Sequence, residues 1–356
     1  MSGPSTQRLA FIDALKAVAA QLIVLHHLAF YGPMSDRVRP YAPDVLGWFA
    51  DHARMAVQVF LVIGGFMAAR SLAPQGRLLD GRPAALVAKR YLRLVAPYAV
   101  VVVAAILAAH VAGGWMQHES ISAPPTASQF IAHLLLLQDV LGFESLSAGL
   151  WYVAIDFQLY VALLALLWVT RRADPRVGMG LVVACGIASL AHFNRDAAWD
   201  VWALYFCGAY AFGAVAYWFS QRVVGVSFAM VLAVGTLIAL ALDFRIRIAV
   251  ALAVAVLFVV ASRSGVLARW PASPAVAYLG RIAYSVFLAH FPVCLVINAA
   301  WVRFGSDGPW VNALGLAVAW AASVAAGALL HRWVESRTGA LLGALSRVSP
   351  AAGRSP

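Results

Sequence analysis

Residues 9–31 read LAFIDALKAVAAQLIVLHHLAFY. Coiled as an α-helix, the run is long enough to cross a hydrocarbon core about 30 Å thick, yet it carries Asp13, Lys16, His26 and His27. A cleaved signal peptide needs a clean apolar centre, so the acidic and basic residues inside this run make it a retained first span.

Working outward, apolar runs of similar length recur at 50–73, 91–112, 149–169, 177–193, 200–219, 224–242, 246–262, 275–302 and 310–331. The 356 residues are 63% hydrophobic and 12% charged, with a mean hydropathy of +0.82. A soluble globular chain has about twice that share of charge, which excludes a soluble enzyme and a disordered chain. The expected fold is all-α, a polytopic membrane bundle of about ten transmembrane helices. With the N-terminus on the cytoplasmic side, 18 Lys and Arg fall in inner segments and 6 in outer ones, with Lys16 and Arg54 inside spans. That bias makes both termini cytoplasmic. The turn Asp243-Phe244-Arg245-Ile246-Arg247 puts two arginines outside, so a different pairing of the seventh and eighth spans stays open.

The net charge of +11 reports topology, and no basic stripe interleaved with aromatics points to nucleic acid. Cys185, Cys207 and Cys294 sit in apolar runs as small hydrophobes, with no metal-ligand spacing. Residues 1–340 form one membrane domain and 341–356 a loose tail. The outer loop 113–148 has no Lys or Arg, and its stretch Ser128 to Leu141, too short to span, reads as an amphipathic helix lying at the outer surface or dipping in. A long structured loop of this kind suits a substrate entrance.

Ionisable groups at mid-membrane cost about 2.5–3.5 kcal/mol each on insertion scales and need a partner, a wet cavity or a function. At 100° per residue, Lys16 and His27 share one helix face, with Asp13 one turn below Lys16. Asp13 and Lys16 read equally as a structural ion pair or as part of a catalytic site. His27 reads as a packed histidine or as a general base, and His26, about 100° away, as the structural one of the two. Arg90 and Arg93, at i and i+3, can grip a phosphate pair or simply anchor the inner end of their span. Asp156, within the fourth span, can orient a histidine or bind a hydroxyl.

These segments together resemble the integral-membrane acyltransferase 3 family. Asp13, Lys16 and His27 are similar to its first-span pattern, with Lys16 where Arg is commoner, which loses a bidentate fork. Residues 60–66, FLVIGGF, are similar to its second-span signature, with Gly64 where Ser is usual. Arg90 and Arg93 match its two-arginine motif. Leu150 to Tyr160 resembles its Trp-containing motif, with Asp156 in place of Glu. Tyr278 to Pro292 resembles its late span and Arg332-Trp333-Val334-Glu335 its closing motif, without the Pro that often follows. The likeness runs from about Arg8 to Arg337.

The resemblance implies transfer of an acyl group, most often acetyl, from cytoplasmic acyl-CoA to a hydroxyl of a carbohydrate or lipid-linked glycan, in the inner membrane of a bacterium. His27 would be the base, with Asp156 or Asp13 orienting it and Lys16 beside them. Arg90 and Arg93, with Arg70 and Lys89, would hold the CoA phosphates. Trp151, Gln158, Tyr160 and His290 would contact the acceptor, and no metal is required. The competing class is a transporter or flippase using the buried His, Asp and Lys as a proton relay, although no internal repeat of the kind common in transporters is visible.

Overall fold

A computed structural model describes residues 9–348. The first span is α1, Ala10–Phe30. Short helices α2, Pro33–Val38, and α3, Pro43–His52, follow on the outer side. Next come α4, Ala56–Leu72, and α5, Pro83–Gly113. The outer loop carries α6, Ala127–Leu134, before α7, Leu150–Val169. Then come α8, Pro175–Ala191, α9, Ala203–Ser220, α10, Val226–Leu242, and α11, Ile246–Arg263. A single turn, α12, Val266–Arg269, leads to α13, Pro274–Phe304, α14, Pro309–Leu330, and α15, Ser336–Val348. All ten expected spans are helical, and no strand occurs among the described residues. Among the described residues eight helical segments are long and apolar enough to cross a membrane, α3 and α4 counting as one, and α10 is a shorter apolar helix of 17 residues. Helix α9, the remaining one, is buried almost all round from Gly208 to Trp218; its Gly, Ala and aromatic composition suits contact with protein more than with lipid.

Helix α13 is central. It packs against α1, α5 and α14, and nearly every residue from Ile282 to Leu295 is buried. At about 1.5 Å per residue its 31 residues span about 46 Å, so its ends pass beyond the hydrocarbon. Helices α4 and α9 meet through paired glycines: a Cβ on Gly65 would overlap the Tyr210 carbonyl, and one on Gly213 the Val62 carbonyl. With little hydrophobic drive between helices in lipid, such close backbone approach is how spans gain contact.

The second span differs from its expected form. Its α-helical turns break at a tight 3-10 turn, Ala53–Met55, between α3 and α4 within one helical segment, Pro43–Leu72, and Arg54 sits at this break beside the outer cavity. The amphipathic stretch is also shorter than expected. Helix α6 ends at Leu134, the chain reverses through Leu136 at φ 58°, and the Leu137 N–H returns to the Ala132 carbonyl at 3.0 Å. The turn at 243–247 sits beside the outer end of α8: Arg245 donates to the Leu190 carbonyl (2.8 Å) and to Asn194 Oδ1 (3.1 Å). Helix α10 packs against both α8 and α11. Helix α15 continues into the stretch read as a tail, and 349–356 lie outside the described residues.

Candidate active site

Two cavities enter the bundle from opposite ends, and α1, α4, α7 and α13 line both. The end that the charge count makes cytoplasmic is called inner. The outer cavity, about 420 Å³, is bounded by His26, His27 and Tyr31 at the end of α1, by Arg54 at the helix break, and by Trp151 on α7. Its rim comes from the long loop, through Glu119, Ser120, Ser122, Glu144, Ser145 and Ser147. The loop expected to form an entrance therefore forms the wall opposite His27.

His27 is 9% exposed and belongs to a chain of imidazoles. His290 Nδ1 lies 2.7 Å from the Phe287 carbonyl, which can only accept, so this nitrogen carries the proton. In a neutral ring His290 Nε2 is then an acceptor, and His27 donates to it from Nδ1 at 2.8 Å. His27 Nε2 is left with its lone pair and no hydrogen-bond partner among the described residues, on a side chain that lines the outer cavity. The ring is held by stacking on Tyr31 (5.6 Å) and His290 (4.9 Å) and by the edge of Phe291 (6.0 Å). His26 lines the same cavity, with its Nδ1 3.2 Å from the Phe49 carbonyl of α3.

The inner cavity, about 640 Å³, is lined by buried Asp156, by half-buried Asp13, Lys16, Arg90 and Glu335, and by exposed Arg93 and Arg281. Lys16 Nζ lies 3.5 Å from Asp13 Oδ1, the expected ion pair. Arg90 is bonded through Nη2 to Asp156 Oδ2, with the Asp156 side chain 7% exposed and the Tyr160 ring 5.2 Å from the guanidinium. Glu335 accepts from Ser285 Oγ (2.6 Å) and lies 3.0 Å from His331 Nδ1, because a widened helical turn at His331–Glu335 swings both side chains inward. Such wide turns recur at functional sites. Among the described residues no carboxylate pairs with Arg93 or Arg281.

Several expectations need moving. Asp156 and Asp13 face the inner cavity, not His27, and the group that orients His27 is His290. Arg90 is committed to Asp156 instead of standing at the rim. Arg70 and Lys89 line neither cavity; nor do Gln158, which donates to the Leu136 carbonyl at 3.2 Å, and Tyr160, which covers Arg90. Trp151 is on the outer wall. Sequence reasoning missed Arg54 and Arg281. The only signal for Arg281 was its place one helical turn before Tyr284 in the late-span motif.

A family model described as an acyltransferase domain matches residues 9–332. The chain belongs to the acyltransferase 3 family. No curated protein and no solved structure matches the chain. For this membrane acyltransferase the match covers every span that lines the two cavities, and both histidines of the imidazole chain fall within it. Among the described residues no cluster of His, Cys, Asp and Glu could hold a metal ion.

Proposed function

We propose that the acyltransferase moves an acyl group, acetyl above all, from acyl-CoA entering the inner cavity to a hydroxyl of a carbohydrate or lipid-linked glycan in the outer cavity. The observation that carries this is the His27–His290–Phe287 carbonyl chain, which fixes the tautomer and leaves a base aimed at the outer cavity. The acceptor O–H gives its proton to His27 Nε2 while its oxygen bonds the thioester carbon. The C–S bond then breaks, and the imidazolium returns the proton to the leaving thiolate. Positioned bases of this kind contribute about 10²–10⁴ in rate.

Arg93 and Arg281, uncommitted and exposed at the inner cavity, suit the CoA phosphates. Arg54, Glu144 and the serines of the rim offer hydrogen bonds to a polyol. The test is acyl transfer by purified protein from labelled acetyl-CoA to glycan extracted from the source membrane. Label on the glycan with wild type and none with His27→Ala supports the reading. Movement of unmodified glycan across a vesicle with no acyl-CoA consumed would replace it with transport.

A further inference from the structure

Phe60 on α4, Tyr152 on α7 and Phe287 on α13 meet between the two cavities. Their ring centroids are 5.9 Å apart for Phe60 and Tyr152, 5.6 Å for Phe60 and Phe287, and 5.3 Å for Tyr152 and Phe287. The rings lie at 51°, 66° and 69° to one another, one pair tilted and two edge-to-face, so the three are in mutual contact. All three line the inner cavity, and Phe287 alone lines both. The Phe287 backbone carbonyl is also the end of the imidazole chain, and the Phe287 ring lies 6.1 Å from the His290 ring that orients the base.

We infer that these three rings form a size filter: the acyl group of the donor reaches His27 only by displacing one ring, and the other two stay closed around it. Swinging one phenyl ring aside opens room for a few heavy atoms, whereas a long chain needs all three helices to part. The closed rings also keep outer-cavity water from a thioester waiting in the inner cavity. Short acyl groups are therefore selected over long ones by residues away from the phosphate-binding arginines, of which only Phe287 also faces the acceptor cavity. This rests on the donor entering from the inner side, as proposed above.

The filter is tested on purified full-length protein with two probes, acetyl-CoA and hexanoyl-CoA, and water as the acceptor. Thiol release then reports hydrolysis, in which water oxygen bonds the acyl carbon, the C–S bond breaks, and the water proton passes through His27 to the thiolate. Wild type should favour acetyl-CoA over hexanoyl-CoA by at least about tenfold. Phe287→Ala keeps the backbone carbonyl that His290 needs, and should both bring the two probes within about threefold and raise hydrolysis of acetyl-CoA about tenfold. Phe287→Leu, which refills much of the space, should fall between and serves if the alanine variant does not fold. A second change, His27→Ala, should remove the gain. Equilibrium binding of labelled CoA is measured on every variant. CoA bound and consumed with the same probe ratio in wild type, Phe287→Ala and Phe60→Ala overturns the filter while the donor reading stands. No CoA bound or consumed by any variant overturns both.

Discussion

His27 Nδ1 lies 2.8 Å from His290 Nε2. The two residues are 263 positions apart, on the first and the late span, and the contact makes one imidazole set the tautomer of the other. His27→Ala should lower kcat by about 10²–10⁴ in protein that still inserts and folds. His290→Gln should lower kcat less and leave the KM for acyl-CoA unaltered, since His290 touches neither phosphates nor, in this arrangement, the acceptor. Equal loss of kcat and of thermal stability in His290→Gln would make it a packing residue only.

Arg93→Ala and Arg281→Ala should raise the KM for acyl-CoA several-fold with little change in stability, because both side chains are exposed and unpaired among the described residues. Arg90→Ala should behave in the opposite way. It strands the Asp156 carboxylate in the bundle, a loss of about 3–5 kcal/mol. Kinetics and melting curves on the three variants separate the roles, and a stable Arg90→Ala with a raised KM would return Arg90 to the donor site.

Asp156→Asn leaves the Arg90 guanidinium without its counter-charge, so the first effect should be lost stability, again about 3–5 kcal/mol. Specific activity of the fraction that remains folded checks whether the carboxylate also serves the chemistry.

Gly64 and Asp156, two departures from the family pattern, are neighbours. A Cβ at Gly64 would sit 2.8 Å from Asp156 Oδ1 and 2.9 Å from Tyr210 Cε2. Gly64→Ala should therefore push on the Arg90–Asp156 pair and cost about 1–3 kcal/mol, the usual range for overpacking. An unchanged melting temperature would show that the carboxylate moves aside freely.

In the outer loop, burial pushes the Asp139 carboxyl up to about 6, against the bond it accepts from Gln138. A carboxyl with a raised folded pKa favours the fold while protonated and loses that contribution as pH rises from about 4 to 6. Asp139→Asn should therefore stabilise the protein above pH 6, and the difference from wild type should vanish below pH 4. Melting temperatures at pH 4 and pH 8 check it.

Much of this protein is legible along the chain. The helical character of the ten apolar runs is a local sum of hydropathy, so it follows from composition at each position without reference to any other. His27 stood out for the same reason, as an imidazole on the polar stripe of an apolar helix. The break at Ala53–Met55 and the short α6 were missed because a 3-residue turn and a chain reversal leave the apolar pattern almost undisturbed.

What only the tertiary structure decided is which buried groups satisfy one another. A carboxylate in a bundle takes the nearest cation, and nearness depends on how helices far apart in sequence pack. Hence Asp156 belongs to Arg90 and not to His27, and His27 belongs to His290. The aromatic cluster of Phe60, Tyr152 and Phe287 is decided in the same way. Each ring reads as one more apolar residue in its own span, and only the meeting of α4, α7 and α13 turns the three into a partition between two cavities.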